Sequence, residues 1–591
     1  MTVITWSGIF LIISIVLFVV IGIYYSKKMT ATSEDFLLAG RGAPFWLLAA
    51  AYMGGAIGGS SVSGWTGYGY AGGMSSIWSG IFPALGCTLF ILIFARRLNT
   101  FGRNTGAVTI TDFICARYGE KLRLPSAIIA FFRPGFLTGM QYLAIAVLLN
   151  IAFGLPLKVG VVIAAVGILA YLITAGQVSA LVTQWLQATL QSLAIVVFAI
   201  VVFKIVGGAS FTFEQFYTVL PPSFVDGLQV SFSNFSVWFL TLCLFYLVDP
   251  WVYMWAYIGE TPRISQNAQL ASCCAHYFGI LIFGAGMAVA VAVANNVLVL
   301  PEGLSNDAIY SYVSLHETSV PIGTILIVGL MMTIISCGSS FAMNGVTIVT
   351  HDIYARCINK NATEKQMMLA SRMSVIVVSV FGVCGALWLP SLVPLWVLAQ
   401  AIAISGLLCP VLGAWFWKRS TTAGALAATI CGGIVAIAWA VWVWTTTGSP
   451  ATLINGIHCA HVGLAVEIVV FIVVSLATKP DYKAAEATSY RKLGDDVKQA
   501  AIDAGTPEKP GVWGYLGAET TGVKFLWTIV GILFVGHYIL VCVFKYEAAG
   551  IFTMWLAIIS SIVILVLFFI MGGLDVIKFS SGKTKKVAAK L

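Results

Sequence analysis

Apolar stretches of about twenty residues recur from one end of this 591-residue chain to the other, and they decide what solvent it folds in. We count about fifteen such runs, each able to cross a hydrocarbon core ~30 Å thick. Their centres fall near Ile13, Gly58, Leu85, Met140, Gly167, Ile195, Leu247, Phe283, Ser336, Val380, Ser405, Ile434, Val469, Leu533 and Ile562. Only 9% of the residues are charged, against roughly 25% in soluble domains. A chain of this kind lives in a bilayer, where every backbone polar group must find a partner inside the protein and helices supply it.

The charges orient the helices. The first run, Val3 to Tyr24, has no basic residue before it, and Lys27 and Lys28 follow it. That is an uncleaved first helix with its N-terminus outside, not a signal peptide. The loops then placed inside carry Arg97, Arg103, Arg117, Lys121, Arg123, Arg263, Arg356 and the Lys-rich tail, while the outside loops near 208–233 and 298–317 hold acids and no lysine or arginine. The net charge of +9 is therefore positive-inside bias, and no nucleic-acid partner is implied. The expected location is the plasma (cytoplasmic) membrane, multi-pass, with the C-terminus in the cytoplasm. The 12 cysteines are scattered through apolar runs and behave as small hydrophobes. His458-Cys459-Ala460-His461 comes nearest to a metal motif but lacks the second pair that structural zinc sites use. No nucleophile–base motif or phosphate loop is present, so an enzyme is not expected.

Two runs contain helix breakers at mid-depth. In Pro44–Gly73, four glycines fall within Gly54-Gly55-Ala56-Ile57-Gly58-Gly59, followed by Ser60 and Ser61. Each glycine costs about 1 kcal/mol against alanine in a helix. In Val237–Ile258 the breaker is Asp249-Pro250. Proline removes a ladder donor, and an aspartate at that depth costs at least ~2.5 kcal/mol unless it faces a cavity or partner. The second broken helix is the fifth after the first and runs the opposite way, as an inverted repeat produces. The expected fold is an all-α polytopic LeuT-like core of five plus five helices: first repeat 44–207, extracellular loop 208–233, second repeat 234–417. Around it lie an N-terminal helix and loop (1–43), two peripheral helices (418–477), a cytoplasmic linker with a short helix (478–523), and two C-terminal helices with a basic tail (524–591).

Four stretches, in this order and topology, resemble the sodium:solute symporter family. They are Asp35-Phe36-Leu37-Leu38-Ala39-Gly40-Arg41, then Thr109-Ile110-Thr111-Asp112 with Arg117-Tyr118, then Ser336 through Asp352-Ile353-Tyr354, and Pro410-Val411-Leu412-Gly413 with Trp417-Lys418-Arg419. The resemblance implies alternating-access symport with Na⁺ as coupling ion. It places the ion at Gly54 and Ile57 of the first break and at Thr333, Ser336 and Cys337 of the eighth core helix. Hard cations want oxygen ligands, so Cys337, where the family usually has a hydroxyl, is a departure. Gln184 replaces a fifth-helix aspartate linked to a second sodium in some members, which points to one sodium at most. Pro250-Trp251 and Ile57-Gly58-Gly59 resemble the choline-type carriers, without the tryptophan those carry at Ala56.

For the substrate, Trp65, Tyr142, Trp251, Tyr253 and Trp255 offer aromatic faces that attract cations, and Asp249 adds a carboxylate. N–H groups near Ser60 and Ser61 suit an anion at a helix N-terminus. The expected guest is a small nitrogen-containing cation or zwitterion such as choline, betaine or an amino acid. A proton-coupled or uncoupled carrier of a sugar or carboxylate is the alternative, and a transport-like sensor a distant one. Arg133, before Pro134, reads as structural and reaching for the cytoplasmic side, and Glu467 as structural in a peripheral helix.

Overall fold

The computed structural model describes residues 2–29, 32–273, 277–505, 511–516 and 547–588, with isolated positions between 521 and 528. Among the described residues the chain is helical throughout, with isolated bridges but no sheet. Ten helical stretches there are long and apolar enough to cross a membrane, and three shorter apolar helices accompany them. The span expected around Leu533 lies outside the described residues.

Helix α1 (Val3–Met29) precedes the core. The first broken span is α2 (Phe45–Ala56) and α3 (Trp65–Gly72). Next come α4 (Trp78–Phe90) and α5 (Arg96–Thr105), then the short α6 (Ile110–Tyr118) and the long α7 (Arg123–Phe153). Helical hydrogen bonding continues through α8 (Leu157–Val206), where two spans are expected. Gly160 nevertheless abuts Ala146 and Gly329 abuts Ala194, while Ile145 and Ile327 line one cavity. A straight helix would hold Gly160 and Ala194 about 50 Å apart. The two ends of α8 therefore lie closer than a straight helix allows, and within it Ala180–Val206 is long enough to span while Leu157–Ala170 is a shorter apolar stretch.

The second broken span is α9 (Phe232–Trp238) and α10 (Pro250–Ile258), followed by α11 (Pro262–Cys273) and α12 (Tyr277–Ala294). Helices α13 (Val320–Thr347), α14 (Glu364–Trp388) and α15 (Leu392–Phe416) complete the core. Outside it stand α16 (Thr422–Thr447) and α17 (Cys459–Ala477). The two broken spans are tied at one end: Ala43 N–H donates to Ile258 O at 3.3 Å and Glu260 N–H to Ala43 O at 3.0 Å. The start of one thus meets the end of the other, as antiparallel repeats require.

The loop motif around Thr109 and Asp112 becomes a latch. Thr109 and Asp112 cap α6 reciprocally, which satisfies orphan N–H groups at its start. Arg123 Nη1 then donates to Asp112 Oδ1 at 2.9 Å and Asp352 Oδ1 at 3.1 Å, and His351 Nε2 lies 2.9 Å from Asp112 Oδ2. Burial opposes ionisation of Asp112, but His351, the Val108 N–H and Arg123 more than offset it and hold its carboxyl well below the usual range.

The 478–523 segment is more than a linker with one short helix. Among its described residues are three helices, α18 (Tyr482–Thr488), α19 (Tyr490–Asp503) and α20 (Val512–Tyr515). Arg97 sits 3.7 Å from the Tyr490 ring centroid and Arg96 4.3 Å from that of Tyr515, so two arginines at the start of α5, which the sequence placed in a loop, are cation–π anchors. The last helix, α21 (Glu547–Ala588), returns to the core, where Asp575 Oδ2 accepts the Trp46 N–H at 2.7 Å and caps α2. The start of α1 packs instead at Gly323, at the opposite end of the core. His458 and His461 cap α17, and His461 Nε2 lies 3.0 Å from Ser236 Oγ.

Candidate functional site

Both breaks fall where the breakers sit. Helix α2 ends at Ala56 and the chain turns extended at Ile57 (φ −91°, ψ 116°). Its ladder is then rerouted. Gly58 N–H turns to Ser61 Oγ at 3.4 Å, Gly59 N–H to Gln141 Oε1 at 2.9 Å, and Ser61 N–H to Gly58 O at 3.0 Å. The carbonyls of Gly54, Gly55 and Ile57 thereby lose their helical donors, leaving oxygens free at mid-depth. The glycines are needed for contact as much as for breaking. A Cβ on Gly54 would lie 2.7 Å from Ser336 Oγ, and one on Gly58 would lie 2.5 Å from Cys337 Sγ. Hence the break can rest directly on α13.

On that face of α13, Ser336 Oγ is fully buried and has no hydrogen-bond partner. A hydroxyl left so costs about 1–3 kcal/mol unless something occupies the space before it. Thr333 Oγ1 donates its proton back to Gly329 O at 2.8 Å, which leaves that oxygen's lone pairs free to face an ion. Freed carbonyls beside an unpartnered hydroxyl fit a hard monovalent cation. Gln184 Nε2 donates to Ser336 O at 3.3 Å, and Ser339 Oγ donates to the same oxygen at 2.8 Å. A carboxamide thus fills the space beyond Ser336 without adding charge.

The second break is built from a side chain. Asp249 is extended (φ −72°, ψ 119°) and caps α10 by accepting the Trp251 N–H at 2.8 Å. Its other oxygen lies 2.7 Å from Arg133 Nη2. Both residues are buried. The ion pair is close but poorly aligned, for Asp249 Oδ2 forms no well-directed hydrogen bond, and Arg133 Nε and Nη1 have no partner. The guanidinium carbon is 4.7 Å from the Phe341 ring centroid and 5.7 Å from that of Trp251. Arg133 therefore belongs to the site. It does not reach the cytoplasmic side, because Asp249 offers the one charge that can offset its burial at this depth.

The other expected residues divide. Trp251 joins the two breaks: Nε1 donates to Ser340 Oγ at 2.8 Å, and its ring lies 4.8 Å from Tyr52 and 5.8 Å from Trp255. Ser60 and Ser61 are buried in the wide turn that opens the second half of the first broken span. Trp65 stacks on Phe283 at 5.4 Å, farther along the same span. Tyr142 and Tyr253 lie in other contacts, Tyr142 donating to Ser379 Oγ at 3.0 Å and Tyr253 Oη accepting from Trp415 Nε1 at 3.0 Å. The Gly58 and Gly59 N–H groups are thus occupied, whereas Arg133 Nε and Nη1 are not. Glu467, in α17, accepts the Cys409 N–H at 3.1 Å beside Pro410 of α15.

Residues 36–432 match the sodium:solute symporter family. The chain is 26% identical over 492 residues to the osmoregulated proline transporter OpuE of Bacillus subtilis, covering 80% of this chain and 94% of that one. It is 27% identical over 514 residues to a sodium/proline symporter of Staphylococcus aureus, covering 81% and 94%. Among solved structures, a Na⁺-coupled sialic acid symporter superposes with a TM-score of 0.66 at 18% identity, over 80% of this chain and 98% of that one. The LeuT-like fold expected from the two breaks is the fold found.

Proposed function

The chain belongs to the sodium:solute symporter family, and from that premise we propose that it carries a small zwitterion of the amino- or imino-acid class together with Na⁺, proline being the first compound to try. The observation that carries this reading is the strained Arg133–Asp249 pair between the breaks. A cation alone would have to displace the arginine from Asp249 and leave it unpaired, which costs about 3–5 kcal/mol. A zwitterion answers both charges at once: its carboxylate goes to the free N–H groups of Arg133 and its ammonium to Asp249 and the Trp251 ring. This favours amino acids over choline. The relatives named for proline support the same class. Betaine brings a carboxylate but no N–H to donate to Asp249, so it ranks below proline.

Na⁺ is the coupling ion of this reading, held by the carbonyls of Gly54 and Ile57, by Thr333 Oγ1 and by Ser336 Oγ. Those carbonyls belong to the same break that closes on Trp251 through Ser340. Ion and solute thus bias one element, and each raises the other's affinity by the same factor. The Gln184 carboxamide, where a charged ligand for a second ion would stand, favours one Na⁺ per cycle. An N-terminus outside and a basic C-terminus inside accord with α1 and α21 meeting opposite ends of the core.

The test is uptake of radiolabelled proline by proteoliposomes under an inward Na⁺ gradient. Saturable accumulation that collapses in K⁺ buffer is the expected result. Accumulation of proline driven equally well by a proton gradient without Na⁺ would replace the ion. Failure of proline alongside success of choline would replace the substrate class.

A further inference from the structure

Away from the breaks, a cavity of about 220 Å³ lies among α1, α7, α8 and α13. Among the described residues its walls are apolar apart from one side chain, Ser7. Apolar cavities of this kind stay dry, and one of about 150 Å³ already takes up benzene or xenon. Two glycines border it from facing helices, Gly8 of α1 and Gly167 of α8, and a Cβ on either would meet nothing within 4 Å. Phe153 and Ile163, also in the lining, are 60% and 49% exposed. The cavity therefore opens at the outer surface of a membrane-spanning bundle, where the surrounding medium is hydrocarbon.

We propose that this cavity binds one acyl chain of a bilayer glycerolipid, in the leaflet that holds the N-terminal end of α1. The observations on the page converge on that occupant. The mouth faces lipid, the walls offer water one polar side chain where it needs two to four partners, and the space is too large to be left as ordinary packing loss. Ser7 completes the match. Its hydroxyl is buried and unpartnered, one turn from Ile4 near the start of α1. There an ester carbonyl at the head of the chain can accept its proton. The inner wall is the turn of α13 that carries Met331 and Ile335, which flank Thr333 and precede Ser336. An acyl chain seated here packs behind the ion-site helix and braces it from the side opposite the first break.

The experiment uses the full-length protein in vesicles of phosphatidylcholine with a diazirine midway along one acyl chain. After illumination, adducts are mapped by peptide mass spectrometry. Adducts on the lining of α7, α8 and α13 should exceed those on Ile434 and Val380, ordinary lipid-facing positions that are 60% and 59% exposed, by about fivefold. Gly167→Phe and, separately, Gly8→Leu should abolish that excess while leaving the control adducts unchanged. Delipidation in detergent gives a second readout, and it does not depend on labelling. Wild type should lose several degrees of melting temperature when stripped of lipid, and the filled variants should lose less. Labelling of the lining no stronger than the controls, or an excess that survives both filling variants, overturns the proposal. So does an equal loss of melting temperature in wild type and variants.

Discussion

The two breaks do the same thing to a helix by opposite means. In the first, side chains are removed: glycines let the backbone touch Ser336 and Cys337, and the freed groups are carbonyl oxygens. In the second, a side chain is added: Asp249 caps the new helix with one oxygen and faces Arg133 with the other. The first break is electrically a set of dipoles and the second a full charge with its counter-charge. Dipoles suit a bare monovalent cation, because they offset its charge without trapping it. A paired charge suits a solute that brings both signs. On the proposed reading, ion and solute take one break each, and the two breaks are distinct in chemistry.

The largest effect that can test this contrast comes from unbalancing the second break. Arg133→Met leaves Asp249 buried without a counter-charge, and stability should fall by about 3–5 kcal/mol. Solute binding should vanish with it. The pair Arg133→Met with Asp249→Asn should recover most of the melting temperature and none of the binding. If the double variant still binds the solute in a thermal-shift titration, the charges are scaffolding and the contrast fails.

Overfilling the first break should cost less. Gly54→Ala forces a Cβ toward Ser336 Oγ, and overpacking of this kind costs about 1–3 kcal/mol. Because the strain falls on the oxygens assigned to the ion, the Na⁺ concentration for half-maximal uptake should rise at least several-fold. The solute affinity measured at saturating Na⁺ should move much less. An equal change in both would mean that the breaks form one undivided site.

What the sequence could and could not reveal follows from range. Glycine clusters and Asp-Pro act locally, so both breaks and their antiparallel order were legible, down to Ile57 and Asp249. Arg133 was not, because its partner comes from the other half of the core and no local pattern encodes that pairing. Arg97 read only as a loop charge, yet Tyr490 reaches it, and Tyr515 reaches Arg96, from hundreds of residues away. Tyr142 and Tyr253 show the same limit in direction. A helix fixes which residues share a face, but only the neighbours decide whether that face looks into a cavity. The resemblance pointed to Ser336, but the missing partner of its hydroxyl is visible only in the packed structure.

Ser336→Ala removes the unpartnered hydroxyl and keeps the helix. The Na⁺ requirement should rise about tenfold, equivalent to ~1.4 kcal/mol. Proline binding at saturating Na⁺ should be nearly unchanged. Uptake kinetics at a series of Na⁺ concentrations separate the two, and an unaltered Na⁺ dependence would remove Ser336 from the ion site.

The smallest expected change is also the most selective. Cys337 lies against Gly58 at the same level as Ser336, and its thiol is a soft and poor partner for Na⁺. Cys337→Ser substitutes a smaller, harder atom at nearly the same place, so the packing against the first break survives while one more oxygen becomes available. The half-saturating Na⁺ concentration should stay equal or fall by about twofold, worth ~0.4 kcal/mol. The solute site should not register the change, because Arg133 and Asp249 do not depend on that atom. A rise in the Na⁺ requirement would show that the sulfur is held there for its volume, and the dipolar break would then end at Ser336.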